Sequence, residues 1–207
     1  MPEGATILGL PDPPLGDDRI RLREPLAGDL GAVVEACSDP MIQLYTRVPS
    51  PYREEDGRAF IGGAAGRRIL GQSLELAVAD RGDDGLIGMI GLIADRHDAQ
   101  RAEIGYWVVP AARGQGVASR ALVLLSRWAV TAGGLLRVDL QAASANTASI
   151  RVAERCGFVR EGVLRRSWYR GPERTDMVLF SLLPEDMDPS LPKSATREGG
   201  SGERRDE

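Results

Sequence analysis

The chain has 207 residues, 43% of them hydrophobic, which suits one domain with a substantial core. Its 26 basic and 30 acidic residues leave a net charge of −4, which argues against a general nucleic-acid surface. No apolar run is long enough to cross a bilayer, no basic segment precedes an apolar core at the start, and two cysteines with one histidine do not make a structural zinc site. The expected setting is cytoplasmic, with no membrane, no direct nucleic acid and no metal.

In chain order, residues 1–18 are rich in Pro, Gly and Asp and are expected to form a disordered lead. Residues 20–23 read as a first strand. Asp29 is placed to cap a helix running through Cys37, and Asp39-Pro40 breaks it. Residues 41–52 read as an irregular or short helical link, and 54–70 as a second helix loosened by glycines. Strands follow at 74–79 and 86–94, joined by the turn Asp83-Asp84-Gly85; Gly88 and Gly91 suggest a bend or a close approach. The apolar run 104–109 is a fourth strand, stopped by Pro110. A helix then runs toward Ala132. Residues 135–142 alternate as a fifth strand. Asn146 to Ser149 open a short helix that Gly157 ends. Two last strands are expected near 163–168 and 177–182, and 188–207 as a disordered tail. Residues 19–187 form one α/β domain, a mixed sheet with helices on both faces. Cys37 and Cys156 fall in helices among apolar neighbours and are expected to be reduced, packed thiols.

The junction after the fourth strand carries Arg113-Gly114-Gln115-Gly116-Val117-Ala118-Ser119. A strand that hands directly to a helix through small residues gathers unpaired N–H groups at the positive end of a helix dipole, which is an anion site. A P-loop would need a Lys, and the only lysine is Lys193. A Rossmann fingerprint would need a third glycine where Ser119 stands, and the acidic ribose partner is missing, since Asp139 lies mid-strand. The remaining pattern, [RQ]-x-x-G-x-[GA], is filled by Arg113, Gly116 and Ala118. The alternative is a strand-turn-helix whose glycines only permit tight packing.

That pattern resembles the pyrophosphate loop of the GCN5-related N-acetyltransferases. The string from Asn146 to Gly162, N-x-x-S followed by a short helix and G-F-x-x-E-G, looks like the second half of the same domain. The first strand with Asp29, and the segment 175–181, resemble the branch that acetylates ribosomal-protein N-termini. Matches run in order from about Ile20 to Glu185.

The resemblance implies a mostly antiparallel sheet of six to seven strands in which strands four and five splay apart. It implies acetyl-CoA as co-substrate. Its pyrophosphate would rest on the N–H groups of Gly114 to Ser119, with Arg113 adding charge, and its pantetheine arm would pair with the backbone of Trp107, Val108 and Val109. Asn146 would touch that arm, or serve only as a helix cap. Ser149 would be the general acid for the departing thiolate, with capping again the alternative. Glu103 would be the proton acceptor, or a strand-end carboxylate paired with an arginine. The ribosomal-protein branch has a Glu on the strand after G-F-x-x-E-G, where this chain has Trp168. Glu161 reads as structural. The acceptor is expected to be an amine, a protein N-terminus first and a small molecule such as an antibiotic or polyamine second; a non-catalytic acyl-CoA-binding module is the third reading. The family implies a monomer or a homodimer.

Overall fold

The computed structural model describes residues 9–170 and 174–187. Seven strands form one sheet: β1 (Ile20–Arg23), β2 (Ser73–Asp80), β3 (Leu86–Ala94), β4 (Arg101–Val108), β5 (Arg137–Ala143), β6 (Val159–Tyr169) and β7 (Arg174–Leu182). Their order is β1-β2-β3-β4-β5-β7-β6, so the last strand inserts between β5 and β6. Five α-helices cover it: α1 (Leu30–Cys37), α2 (Pro40–Tyr45), α3 (Glu54–Ile69), α4 (Val117–Thr131) and α5 (Thr147–Arg155).

Every neighbouring pair is antiparallel except β4 and β5. Those two pair in parallel only from Arg101↔Arg137 to Glu103↔Asp139. Beyond that point each keeps its other neighbour. β4 stays paired with β3 as far as Val108, and β5 with β7 as far as Ala143. The sheet therefore opens in a V, and the facing backbone edges of β4 and β5 have no strand to bond.

Alternation along the strands sorts the two faces. Leu76, Ile90, Ile104, Leu140 and Phe180 point to one side, with Leu122 and Leu125 of α4 in the same buried cluster. Ala77 and Met89 point to the other and pack with Val33 and Cys37 of α1. Helices thus lie on both faces. Burial pushes the Cys37 thiol up to about 11, and neither cysteine is in a disulfide.

Two sequence readings are corrected and a third is narrowed. The lead is structured from Leu15 onward: Leu15 accepts from the Leu22 N–H, Gly16 bridges to Arg21, and the Asp17 carboxylate bonds Arg120 of α4 at 2.7 Å. Composition cannot reveal a pair across that separation. Residues 1–8 and the tail 188–207 lie outside the described residues. Of the two readings of the link after α1, the short helix is the one formed, at Pro40–Tyr45, because Asp39 accepts the N–H groups of Met41 and Ile42 at 3.1 and 3.0 Å. Strand β6 starts four residues earlier than expected, at Val159 rather than 163, because register shifts at Arg160/Gly162 and Leu164/Trp168 break its alternation.

The closed end of the V is pinned by charge. Arg101 and Arg137 both bond Asp139, at 2.5 and 2.7 Å, and Arg137 grips Glu161 at 2.8 and 2.6 Å. Glu161 also accepts from Ser181 at 2.6 Å, the structural role its position suggested. The Arg137 guanidinium holds the Glu161 carboxyl below its usual range. A depressed carboxylate contributes stability above its unfolded value, about 4.3, and loses it as pH falls through the folded value. Urea midpoints should therefore drop with acidification below about pH 4. Glu161→Gln should flatten that drop; an identical acid slope in wild type and variant would remove Glu161 from it.

Candidate active site

A cavity of about 720 Å³ lies in the open part of the V and reaches both faces of the sheet. That volume is in the usual range for small-molecule sites.

One end is the start of α4. Gly116 occupies its N-cap with φ +79° and ψ 2°, and no side chain caps the helix. The first N–H groups of a helix have no intrahelical partner. Here they open toward the cavity, since Gly114, Gly116, Val117, Ala118 and Ser119 all line it. Unmet donors at the positive end of a 15-residue helix suit a pyrophosphate. Two expected members stand apart from this cradle. Gln115 turns away, accepting from Arg19 at 2.6 Å and donating to the Ala111 carbonyl at 2.8 Å. Arg113 lines the cavity but is already committed, donating to Asp39 at 2.7 Å and to the Val108 carbonyl at 3.2 Å.

Strand β4 forms the cavity's spine. Trp107 and Val108 line it. Neither Val109 nor Trp107 offers the free backbone expected of it: the Val109 N–H bonds Ile87 and its carbonyl accepts from Ala112, and the alternation of an antiparallel ladder turns the Trp107 backbone toward Met89 of β3 as well, which leaves the Val108 N–H on the open edge. Tyr106 points toward α5, where its hydroxyl meets the Ser149 hydroxyl at 2.9 Å. Burial pushes the Tyr106 phenol up to about 12, so it is a neutral donor at pH 7. In such a pair one hydroxyl donates to the other, and the acceptor keeps its own hydrogen for a third group. Asn146 caps α5 by accepting the Ser149 N–H at 3.1 Å, so the capping reading holds for its side-chain oxygen. The Ser149 hydroxyl takes no part in that cap.

Glu103 projects to the opposite face. Arg47 grips both of its oxygens, at 2.8 and 3.3 Å, and Gln141 of β5 donates to one at 3.2 Å. The paired-arginine alternative is therefore what the geometry holds, yet Glu103 still lines the cavity. The Arg47 guanidinium lies 5.9 Å from the Trp168 ring centre, and Trp168 donates its indole N–H to the Leu44 carbonyl at 3.1 Å. Trp168 thus stands beside Glu103 as a wall. Tyr45 and Phe60 also line the cavity, whereas Tyr52 packs near Cys37 in the core.

Sequence reasoning missed Arg47, Tyr106, Gln141, Arg151 and Arg155, all cavity-lining. Tyr106 was hidden inside an apolar run. Arg151 and Arg155 share one face of α5 with Ala148 and Val152, a helical spacing that was legible. Arg47 left no signal, since its partner is 56 residues away.

Residues 19–159 match the family model of the acetyltransferase (GNAT) domain. The chain is 28% identical to the uncharacterized N-acetyltransferase YoaA of Bacillus subtilis over 83% of its length and 97% of that protein. It is 33% identical to the ribosomal-protein-serine acetyltransferase of Escherichia coli, over 49% of this chain and 56% of that one. Among solved structures, Mycobacterium smegmatis RimJ in complex with CoA-disulfide superposes with a TM-score of 0.73 at 22% identity, covering 84% of this chain and 87% of that one.

Proposed function

The chain belongs to the acetyltransferase (GNAT) family and is an acetyl-CoA-dependent N-acetyltransferase, and from that premise we propose that its acceptor is the α-amine of a protein N-terminus, which attacks the thioester carbonyl directly. One observation carries the proposed chemistry: β4 presents Glu103 to one face of the open V and Tyr106 with Ser149 to the other. The similarity to a ribosomal-protein-serine acetyltransferase supports the acceptor class.

In this reading the pyrophosphate rests on the N–H groups from Gly114 to Ser119, excepting the side chain of Gln115. The pantetheine amides complete the free edge of β4 at Val108, and Asn146 lies beside the arm. The amine nitrogen, with a free pKa of about 8, must shed a proton to attack. Glu103 accepts it, directly or through water. As the C–N bond forms, the carbonyl oxygen gains charge and takes a strand N–H near Val108; one such donor is worth about 3 kcal/mol. Collapse breaks the C–S bond. Ser149 protonates the leaving thiolate, with Tyr106 donating to Ser149 and orienting its hydrogen toward sulfur; the nitrogen sheds its second proton to water, and water returns one to Ser149.

A panel of acceptors tests the reading. Peptides with a free N-terminus should give higher kcat/KM than polyamines or aminoglycosides; the reverse order would move the acceptor to a small amine. Ser149→Ala tests the acid. Its N–H still donates to Asn146, so the helix cap is kept; losing the partner of the Tyr106 hydroxyl should lower the melting temperature modestly, and the acetyl-CoA Kd should not move. At saturating amine kcat should fall about tenfold, below the usual general-acid range because CoA thiol leaves readily. Unchanged turnover in the folded variant would leave Ser149 without that role.

A further inference from the structure

The acceptor side of the cavity holds a carboxylate that the transfer chemistry leaves idle. Glu75 of β2 lines the cavity, with its side chain 15% exposed. Its Oε1 accepts from Arg67 Nε at 2.8 Å and from Ser73 Oγ at 2.7 Å. Its Oε2 is buried and has no hydrogen-bond partner among the described residues. Buried carboxylate oxygens are normally met by a donor, and an exception calls for a reason.

The sheet register supplies one. Glu75 stands opposite Gly91 of β3, and Gly91 stands opposite Gly105 of β4. Residues directly opposite share a face, so the three form a line across the sheet, and all three line the cavity. Two of them are glycines, which leaves the floor between Glu75 and the open edge of β4 as bare backbone. A Cβ on Gly105 would meet nothing within 4 Å, so the space above it is open. A Cβ on Gly91 would lie 2.7 Å from the Leu74 carbonyl, so that position is closed to any side chain. Glu103 shares this face, two residues along β4 from Gly105. Strands lie about 4.8 Å apart, which places Glu75 about 10 Å across the sheet from Gly105. That span is about three residues of extended chain. Arg67 already neutralises the Glu75 carboxylate, so Oε2 lacks a donor and not a counter-charge.

Building on the protein N-terminal reading, we infer that the acceptor lies extended across this glycine floor, its amine beside Glu103 and an uncharged N–H or O–H of its second or third residue donating to Glu75 Oε2. The site would then distinguish an extended peptide from a compact amine of one residue's size.

Serine-initiated peptide amides of one, two, three and four residues test this with the full chain. In the wild type, kcat/KM should rise at least tenfold from one residue to three. In Glu75→Gln, Arg67 and Ser73 both donate to the near oxygen, so they hold the amide oxygen there and turn its NH2 toward the acceptor. A donor then faces a donor, and the three-to-one ratio should collapse toward unity while calorimetry shows the acetyl-CoA Kd unchanged. Gly105→Ala, which places a methyl on the open floor, should lower the same ratio and covers the case that Glu75→Gln does not fold. A wild-type ratio near unity, or a ratio intact in the folded variants, overturns the inference while peptide acetylation stands. Polyamine turnover with no peptide acetylated at any length overturns the N-terminal reading and this inference together.

Discussion

Gly116→Val should weaken acetyl-CoA binding about hundredfold. The N-cap of α4 has φ +79°, which a β-branched residue adopts only with strain of about 1–2 kcal/mol. Strain alone would lower stability and leave affinity nearly intact. The larger effect is on approach. No atom lies within 4 Å of a Cβ built at Gly116, so the isopropyl group would project into open cavity where an anion must come close. Losing two hydrogen bonds to a charged group, at about 1.5 kcal/mol each or more, amounts to about 3 kcal/mol, or two decades of Kd. Calorimetry reads this directly, with circular dichroism to show the variant folded. Gly116→Ala, with a smaller group and less strain, should fall between the two. Wild-type affinity in a folded Gly116→Val would take the pyrophosphate away from this loop.

Glu103→Gln should lower kcat by about 10²-fold, the low end of what a positioned base supplies. The amide keeps the length of the side chain and an acceptor oxygen for Arg47, and Gln141 can turn its own amide to accept from the new NH2, so the site should hold its shape. The acetyl-CoA Kd should not change, because Glu103 faces away from α4 and α5. Its side chain is 27% exposed, and ion pairs of that kind contribute little to folding. A folded variant that keeps the wild-type rate would leave Glu103 as the anchor of Arg47 and nothing more.

What the sequence disclosed was local. The apolar run before Pro110, the small residues from Gly114 to Ser119, and Asn146 three places before Ser149 each act through neighbours in the chain, and periodicity or capping chemistry exposes them. The alternation of 135–142 gave a strand, though the strand begins at Arg137, because Leu135 spends its N–H on Ala129 in the turn after α4. What stayed hidden joins distant residues. Arg47 reaches Glu103 across 56 positions, Ser149 meets Tyr106 across 43, and Asp17 holds Arg120 across 103. None of these pairs leaves a pattern in a single chain. The splay of β4 from β5 was an expectation of resemblance, and its physical basis emerged only in the pairing: three residues of parallel ladder, then two strands each held by a different neighbour. The backbones of Trp107 and Val109 were misjudged for the same kind of reason, since a strand pattern does not tell which neighbour a residue's backbone faces.

A single acceptor peptide with a free α-amine and one internal lysine puts the proposed activity to its most direct test. Incubated with the enzyme and acetyl-CoA, and sequenced by tandem mass spectrometry, it should carry one acetyl group on its first residue and none on the lysine. Acetylation of the lysine side chain, or an unmodified peptide under conditions where the enzyme acetylates a polyamine or an aminoglycoside, would contradict the assignment of a protein N-terminus as the acceptor.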